Sequence, residues 1–266
     1  MKNREAKTKV IKGKMFLIVF QAFLFWRPVP VASSAFYFVV PVFFSFNSSP
    51  DKLPAKSWFH IALMVMEKTS GLQTRPSVHW LYMLLPSLPP DAARLCKVLV
   101  APPLLVRHLT LVHAAAVELL DGLAAEFPGV DVDRYAVLFG AATHDLGKSL
   151  HPDELTGPGS QHEDDGPGLL EQQGVSPTLA RFALSHGRWR EVDDLEDLLV
   201  ALADNVWRGR RLDDLEAKVM AVLAAMIGLE PWAVWMKLDG VCEEIASRGE
   251  VRLAIQAGRR ATFLLS

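Results

Sequence analysis

The chain has 266 residues, half of them apolar, and a formal net charge of −2. That length and apolar content supply a sizeable core and exclude a disordered chain. Residues 1–82 hold 11 Lys/Arg against 3 Asp/Glu, whereas residues 83–266 hold 17 against 27. The acidic body excludes a broad nucleic-acid surface, which needs clustered positive charge to meet phosphates, but leaves room for a small phosphorylated partner.

In chain order, residues 1–14 are basic (Lys2, Arg4, Lys7, Lys9, Lys12, Lys14). Met15 to Trp26 is then apolar apart from Gln21, Arg27-Pro28-Val29-Pro30 interrupts, and Val31 to Phe46 is apolar again. Ten of the 14 phenylalanines lie before residue 60. A basic start, a short apolar run and the small residues Ala32-Ser33-Ser34-Ala35 resemble a secretory signal. Neither apolar run alone reaches the roughly 20 residues that span a bilayer. Residues 1–82 therefore read as a Phe-rich extension of one of three kinds: an exported signal, a membrane anchor through residues 15–46, or an upstream stretch from a start codon placed too early, the chain then beginning near Met83. Membrane attachment is expected only if the extension belongs to the native protein. Cys96 and Cys242 have no CxxC partner, so they read as core thiols in a reducing compartment, and a cytoplasmic body is expected.

From Met83 the texture becomes helical. Leu88-Pro89-Pro90-Asp91 caps a short helix. Pro102-Pro103 opens a longer one from Leu104 to about Glu126, in which Leu105, Leu109, Val112, Ala116, Leu119, Leu120 and Leu123 recur at the helical period. Phe127-Pro128-Gly129 ends it. The next helix is predicted over 133–143. Residues 149–167, rich in Pro, Gly, His and acids, are predicted to be a loop. Helices follow over about 167–173, 177–185, 191–205, 212–227 and 231–248. No alternating strand pattern persists, so residues 83–266 are predicted to form an all-α body with its core at 95–210 and further helices over 212–260.

One stretch carries the chemistry, Ala141-Ala142-Thr143-His144-Asp145-Leu146-Gly147-Lys148. An apolar helix delivers an imidazole and a carboxylate to its end, where an unpaired buried charge is costly. A divalent metal is one reason for such a pair. Six of the eight histidines fall between positions 108 and 186, and Asp204 sits among Leu198, Leu199, Val200, Ala201, Leu202 and Val206, where a carboxylate calls for a cation. Asp197, one residue beyond Asp193-Asp194-Leu195-Glu196, reads as part of a solvated acidic turn.

In its ordered histidines and aspartates the chain resembles the HD-domain metal-dependent phosphohydrolases, over roughly residues 95–210. That family places a histidine on one helix, the His-Asp pair on the next and an aspartate on a later one. Here these are His113 in Val112-His113-Ala114-Ala115-Ala116, His144-Asp145, and Asp204. Further matches are Lys148 after the pair, His162-Glu163, and His186 with Trp189 following, which resemble the multi-histidine, two-metal branch that includes the HD-GYP group. The resemblance implies an HD-domain-like helical bundle. It also implies metal ligands His113, His144, Asp145, His162, His186 and Asp204 for one or two divalent ions (Mn, Fe, Zn, Ni or Co).

The implied activity is hydrolysis of a nucleotide or related phosphate ester by a metal-activated water, as a phosphohydrolase or phosphodiesterase. Asp145 is short enough to bridge two ions, and two metals can clamp a phosphoryl group. Lys148 and Arg188 are candidates to meet phosphate oxygens. Arg208, in Trp207-Arg208-Gly209-Arg210-Arg211, either receives an anionic substrate or ends its helix favourably. His108 competes with His113 as first ligand. Five residues separate them by about 140° around the helix, and the small residues after His113 favour it by letting helices approach. His151 reads as a substrate contact or a surface residue. No Gly-Tyr-Pro triplet is present, so cyclic-di-GMP specificity does not carry over, and the charged motif of the alarmone hydrolases is missing. The alternative to an enzyme is a non-catalytic HD module that binds metal or nucleotide for regulation.

Overall fold

A computed structural model describes residues 85–258; the expectations for residues 1–82 lie outside them. Among the described residues every regular element is helical. Helices α1 (Pro90–Val98), α2 (Pro103–Glu126) and α3 (Arg134–Thr143) lead to the short 3₁₀ turns Leu146–Ser149 and Pro152–Leu155. There follow α4 (Gln161–Gln172), α5 (Pro177–Ala180), α6 (Phe182–Ser185), a 3₁₀ turn Trp189–Glu191, α7 (Leu195–Val206), α8 (Asp213–Ile227), α9 (Pro231–Ala246) and α10 (Gly249–Gln256).

Proline opens α1, α2, α5 and α9 at their first position, where its missing N–H has no partner to lose and its fixed φ suits the helix. Asp133 and Asp194 cap α3 and α7, accepting from the amides of Ala136 at 3.0 Å and Glu196 at 3.2 Å. Helix α2 is apolar on most of its circumference and lies at the centre, packed on α3, α7, α9 and α10. Its length and mean hydropathy of 1.3 would also suit a membrane span. Here, however, a helix apolar on all sides is accommodated by burial inside the bundle. Val112, Ala115, Ala116, Leu119, Val137, Leu198, Leu199 and Leu223 form the main core and are fully buried.

The loop predicted over 149–167 ends early, because α4 begins at Gln161 and contains Pro167 in its interior. Composition concealed this start. The cap is supplied from outside the local sequence: the Glu154 carboxylate accepts from the amides of Gln161 at 3.0 Å and His162 at 3.2 Å. Glu163 and Asp164 in the first turn suit the positive end of the helix dipole. The correction places His162 on a helix and therefore at a defined position. The helix predicted over 177–185 is interrupted at Arg181, and the one predicted from 191 begins at Leu195 after a 3₁₀ turn. Cys96 and Cys242 are buried free thiols. Burial raises them to about 11 and about 12 respectively, which makes both unreactive.

Candidate metal centre

Five elements converge on Asp145. The residue follows His144, the C-cap of α3, and leads into the 3₁₀ turn Leu146–Ser149, which packs on α4. Gly147 permits that approach. A Cβ there would lie 2.2 Å from the backbone oxygen of His162, so any larger residue would push α4 away.

The two oxygens of Asp145 face different histidines. Oδ2 lies 3.1 Å from His108 Nε2 and 3.7 Å from His144 Nε2. Asp204 Oδ1 completes this group, 3.4 Å from His108 Nε2 and 3.5 Å from His144 Nε2. Oδ1 of Asp145 instead lies 3.1 Å from His162 Nε2 and 3.5 Å from His186 Nε2. Two donor sets, His108/His144/Asp145 and Asp145/His162/His186, thus share one carboxylate. His144, Asp145, His162 and His186 are all buried.

The geometry suits divalent ions. Metal–ligand bonds of about 2.0–2.2 Å place adjacent donors of a tetrahedral or octahedral site roughly 3.0–3.6 Å apart. The spacings here fall in or next to that range, including 3.3 Å between the Nε2 atoms of His108 and His144. Asp145 Oδ1 makes no hydrogen bond despite its short distance to His162.

The far ring nitrogens fix the tautomers. Nδ1 of His144 is 3.1 Å from the Ala141 carbonyl, Nδ1 of His186 is 3.1 Å from the Phe182 carbonyl, and Nδ1 of His162 is 2.5 Å from Glu154 Oε2. Each partner only accepts, so each Nδ1 carries a hydrogen, and in the neutral imidazole each Nε2 presents a lone pair to the site. Glu154 therefore both caps α4 and orients the His162 ring. Asp197 performs a related service beside His186. It accepts from Arg181 Nε at 2.8 Å and from the Ser185 hydroxyl. It is 2% exposed, which corrects its reading as a solvated turn residue. The reason is that α7 starts at Leu195, turning Asp197 inward.

Electrostatics follow from this packing. Burial opposes the charge on His108, yet hydrogen bonds and attraction from Asp145 and Asp204 outweigh it and push its pKa up to about 9. Burial lowers that of His144 and favours the neutral imidazole that a metal needs. Burial would raise both aspartates, but attraction and hydrogen bonding from the surrounding histidines hold both carboxyls below the usual carboxylate range. The site contains one buried carboxylate, Asp145, and one half-buried, Asp204, and calls for positive charge.

His113 is not part of this cluster. It is buried in α2 among the fully covered Val112, Ala114 and Ala115, its Nδ1 has no hydrogen-bond partner, and burial lowers its pKa to about 4. His108 takes the place assigned to it. The 140° between them allows only one to face α3 and α7, and the small residues that favoured His113 are themselves core. Apolar residues flank both histidines at three- and four-residue steps, so periodicity alone did not separate them.

Lys148 Nζ contacts Asp145 Oδ2 at 2.6 Å. It lines a cavity of about 320 Å³ above the cluster, together with Arg208, Arg190, Arg210, Glu163 and Trp189. Arg188 does not line it. Its guanidinium is paired with Asp164 on the exposed side of α4, and Arg190, two residues on, occupies the position expected of it. His151 is held by Asp165 at 2.7 Å, away from the cavity lining. Trp207, unassigned from the sequence, packs its ring edge-on against His108 with centroids 5.3 Å apart.

Among protein-family models, the one described as HD domain matches residues 106–209. Searches of curated proteins and of solved structures found no match to the chain. The matched span runs from just before His108 to just past Asp204 and encloses every donor of both sets. Residues 106–209 thus form an HD domain.

Proposed function

We propose that the protein is a metal-dependent phosphohydrolase or phosphodiesterase acting on a small phosphorylated substrate, a nucleotide or related phosphate ester. The observation that carries this reading is the division of the Asp145 carboxylate between two histidine sets at the floor of a cavity walled by cations. His108, His144, Asp145 and Asp204 would hold one divalent ion and Asp145, His162 and His186 a second. Bound there, such ions supply an activated water and positive charge against the phosphoryl oxygens.

The chain's own residues do the rest. The Nδ1–H bonds of His144, His162 and His186 keep their Nε2 lone pairs turned inward. Lys148 holds a positive charge at the cavity floor, where a phosphoryl group gains negative charge as its ester bond breaks. Arg208 receives the substrate's anionic end at the rim. Trp207 and Trp189 wall the centre with buried rings, keeping bulk water from screening these charges.

A panel of phosphomonoesters, phosphodiesters and nucleotides, assayed with added Mn, tests the reading. Turnover by the parental chain and its loss in the His144→Ala, Asp145→Ala double variant are expected. Turnover at the parental rate in that variant would overturn it. Metal binding with no turnover of any phosphate ester would support the regulatory-module alternative instead.

A further inference from the structure

The cavity has a second, cationic side that the metal cluster does not use. Trp207-Arg208-Gly209-Arg210-Arg211 follows α7 as a turn. Its three arginines have different fates. Arg211 is saturated: its guanidinium meets Glu216 and Asp239, with nitrogen–oxygen distances of 2.6 and 2.7 Å, and Glu243 at 3.0 Å. Arg208 and Arg210 form no hydrogen bond or ion pair with any other described side chain, and both line the cavity. Arg190 reaches the same cavity from the opposite segment, stacked 4.1 Å over Trp189. Its sole ion pair among the described residues is a loose 3.8 Å contact with the exposed Asp214.

The turn that carries Arg208 and Arg210 is fixed in place. Gly209 adopts φ +82°, a conformation that glycine accepts readily. The backbone of residues 208 and 209 lies against Gly249, where a Cβ would come within 2.5 Å of the Gly209 nitrogen. Arg211 pins the same turn to α8 and α9. Three guanidiniums are thereby held around one cavity although like charges repel, and among the described residues none of them pairs with the carboxylates that line it, Asp145, Asp204 and Glu163. Among the described residues the lining also lacks a seat for a flat apolar group: Trp189 and Leu212 are its only large apolar side chains, and Trp189 is buried with Arg190 over its ring.

We infer that Arg190, Arg208 and Arg210 form a second phosphate subsite, so that the substrate carries a second phosphoryl group beyond the one placed over Asp145. The guanidinium fork matches a phosphate's oxygens in pairs. Recognition then rests on two phosphoryl groups rather than on stacking of a base. The catalytic consequence depends on the phosphohydrolase reading above, but binding does not.

The test is calorimetry on the full chain, loaded with Mn and freed of excess ion, titrated with pyrophosphate and with orthophosphate, with metal content measured after each titration. Pyrophosphate is expected to bind about tenfold tighter or better than orthophosphate, the worth of one or two charge-assisted hydrogen bonds. In the Arg208→Gln, Arg210→Gln variant that advantage should fall to within about threefold. Arg190→Gln, on a separate segment, should reduce it as well, which covers the case of a double variant that fails to fold. Equal affinity for the two anions in the parental chain, or an advantage retained in all variants, would overturn the subsite. If the advantage is present but no phosphate ester is turned over, the subsite stands and the hydrolase reading falls.

Discussion

Replacing Glu154 with glutamine separates the two donor sets without touching either. The Glu154 carboxylate accepts from His162 Nδ1 at 2.5 Å and from the amides of Gln161 and His162. Glutamine retains one acceptor oxygen but introduces an NH₂ that can only donate. If the amide oxygen serves the backbone, the NH₂ faces His162, and the imidazole must move its hydrogen to Nε2, turning a donor hydrogen towards Asp145 in place of a lone pair. Loss of such a partner behind a ligating histidine typically costs about 10- to 100-fold in metal affinity. The effect should be confined to the Asp145/His162/His186 set, because His108, His144 and Asp204 make no contact with Glu154. Competition titration of the metal-free full chain with Zn and a chromophoric chelator should show two binding steps in the parental protein. In Glu154→Gln one step should be unchanged and the other weakened about 10- to 100-fold. Equal weakening of both steps, or of neither, would refute the assignment of Glu154 to one set.

Three other expectations follow from the same geometry. His108→Ala should lower the metal content of the full chain by one ion and His113→Ala should leave it unchanged; elemental analysis of both distinguishes them. Because the pKa of His113 is lowered to about 4 by burial and by Arg134, the unfolded chain binds its proton first as pH falls. The contribution is complete above about pH 6.5 and is lost between there and pH 4, by about 2 kcal/mol at pH 5 and about 3 kcal/mol in full. Urea unfolding at pH 7 and pH 5 should show that loss in the parental chain and a shallower one in His113→Leu; identical pH dependences would count against it. Gly147→Ala places a methyl group against the backbone of His162 and should destabilise the fold by about 1–3 kcal/mol, with weaker binding of one ion, measured by thermal unfolding with and without Zn.

Much of this architecture is legible in the sequence for local reasons. Pro90, Pro103, Pro177 and Pro231 mark helix starts because proline suits the first helical turn, and α2 announces its central position by being apolar nearly all round. His144, Asp145, His162, His186 and Asp204 are recognisable as a set from their order. What escaped depends on contacts distant in sequence. His108 and His113 have equivalent local surroundings, and only the packing of α2 against α3 and α7 selects His108. Residue 161 looks like loop because its helix is capped by Glu154, seven residues away. Asp197 looks exposed beside Asp193 and Asp194 until Arg181 and Ser185 close over it. Arg188 and Arg190 differ by two positions, and the 3₁₀ turn between them sends one to Asp164 and the other to the cavity.

The central claim is that Asp145 serves two ions at once. Elemental analysis of the purified full chain, reconstituted with Mn or Zn and desalted, tests it directly, with circular dichroism to confirm that each variant is folded. The parental chain should retain two ions, His162→Ala one, and Asp145→Ala fewer than one, because removing the shared carboxylate strips a ligand from both sets. An Asp145→Ala chain that is folded and still retains two ions would contradict the account.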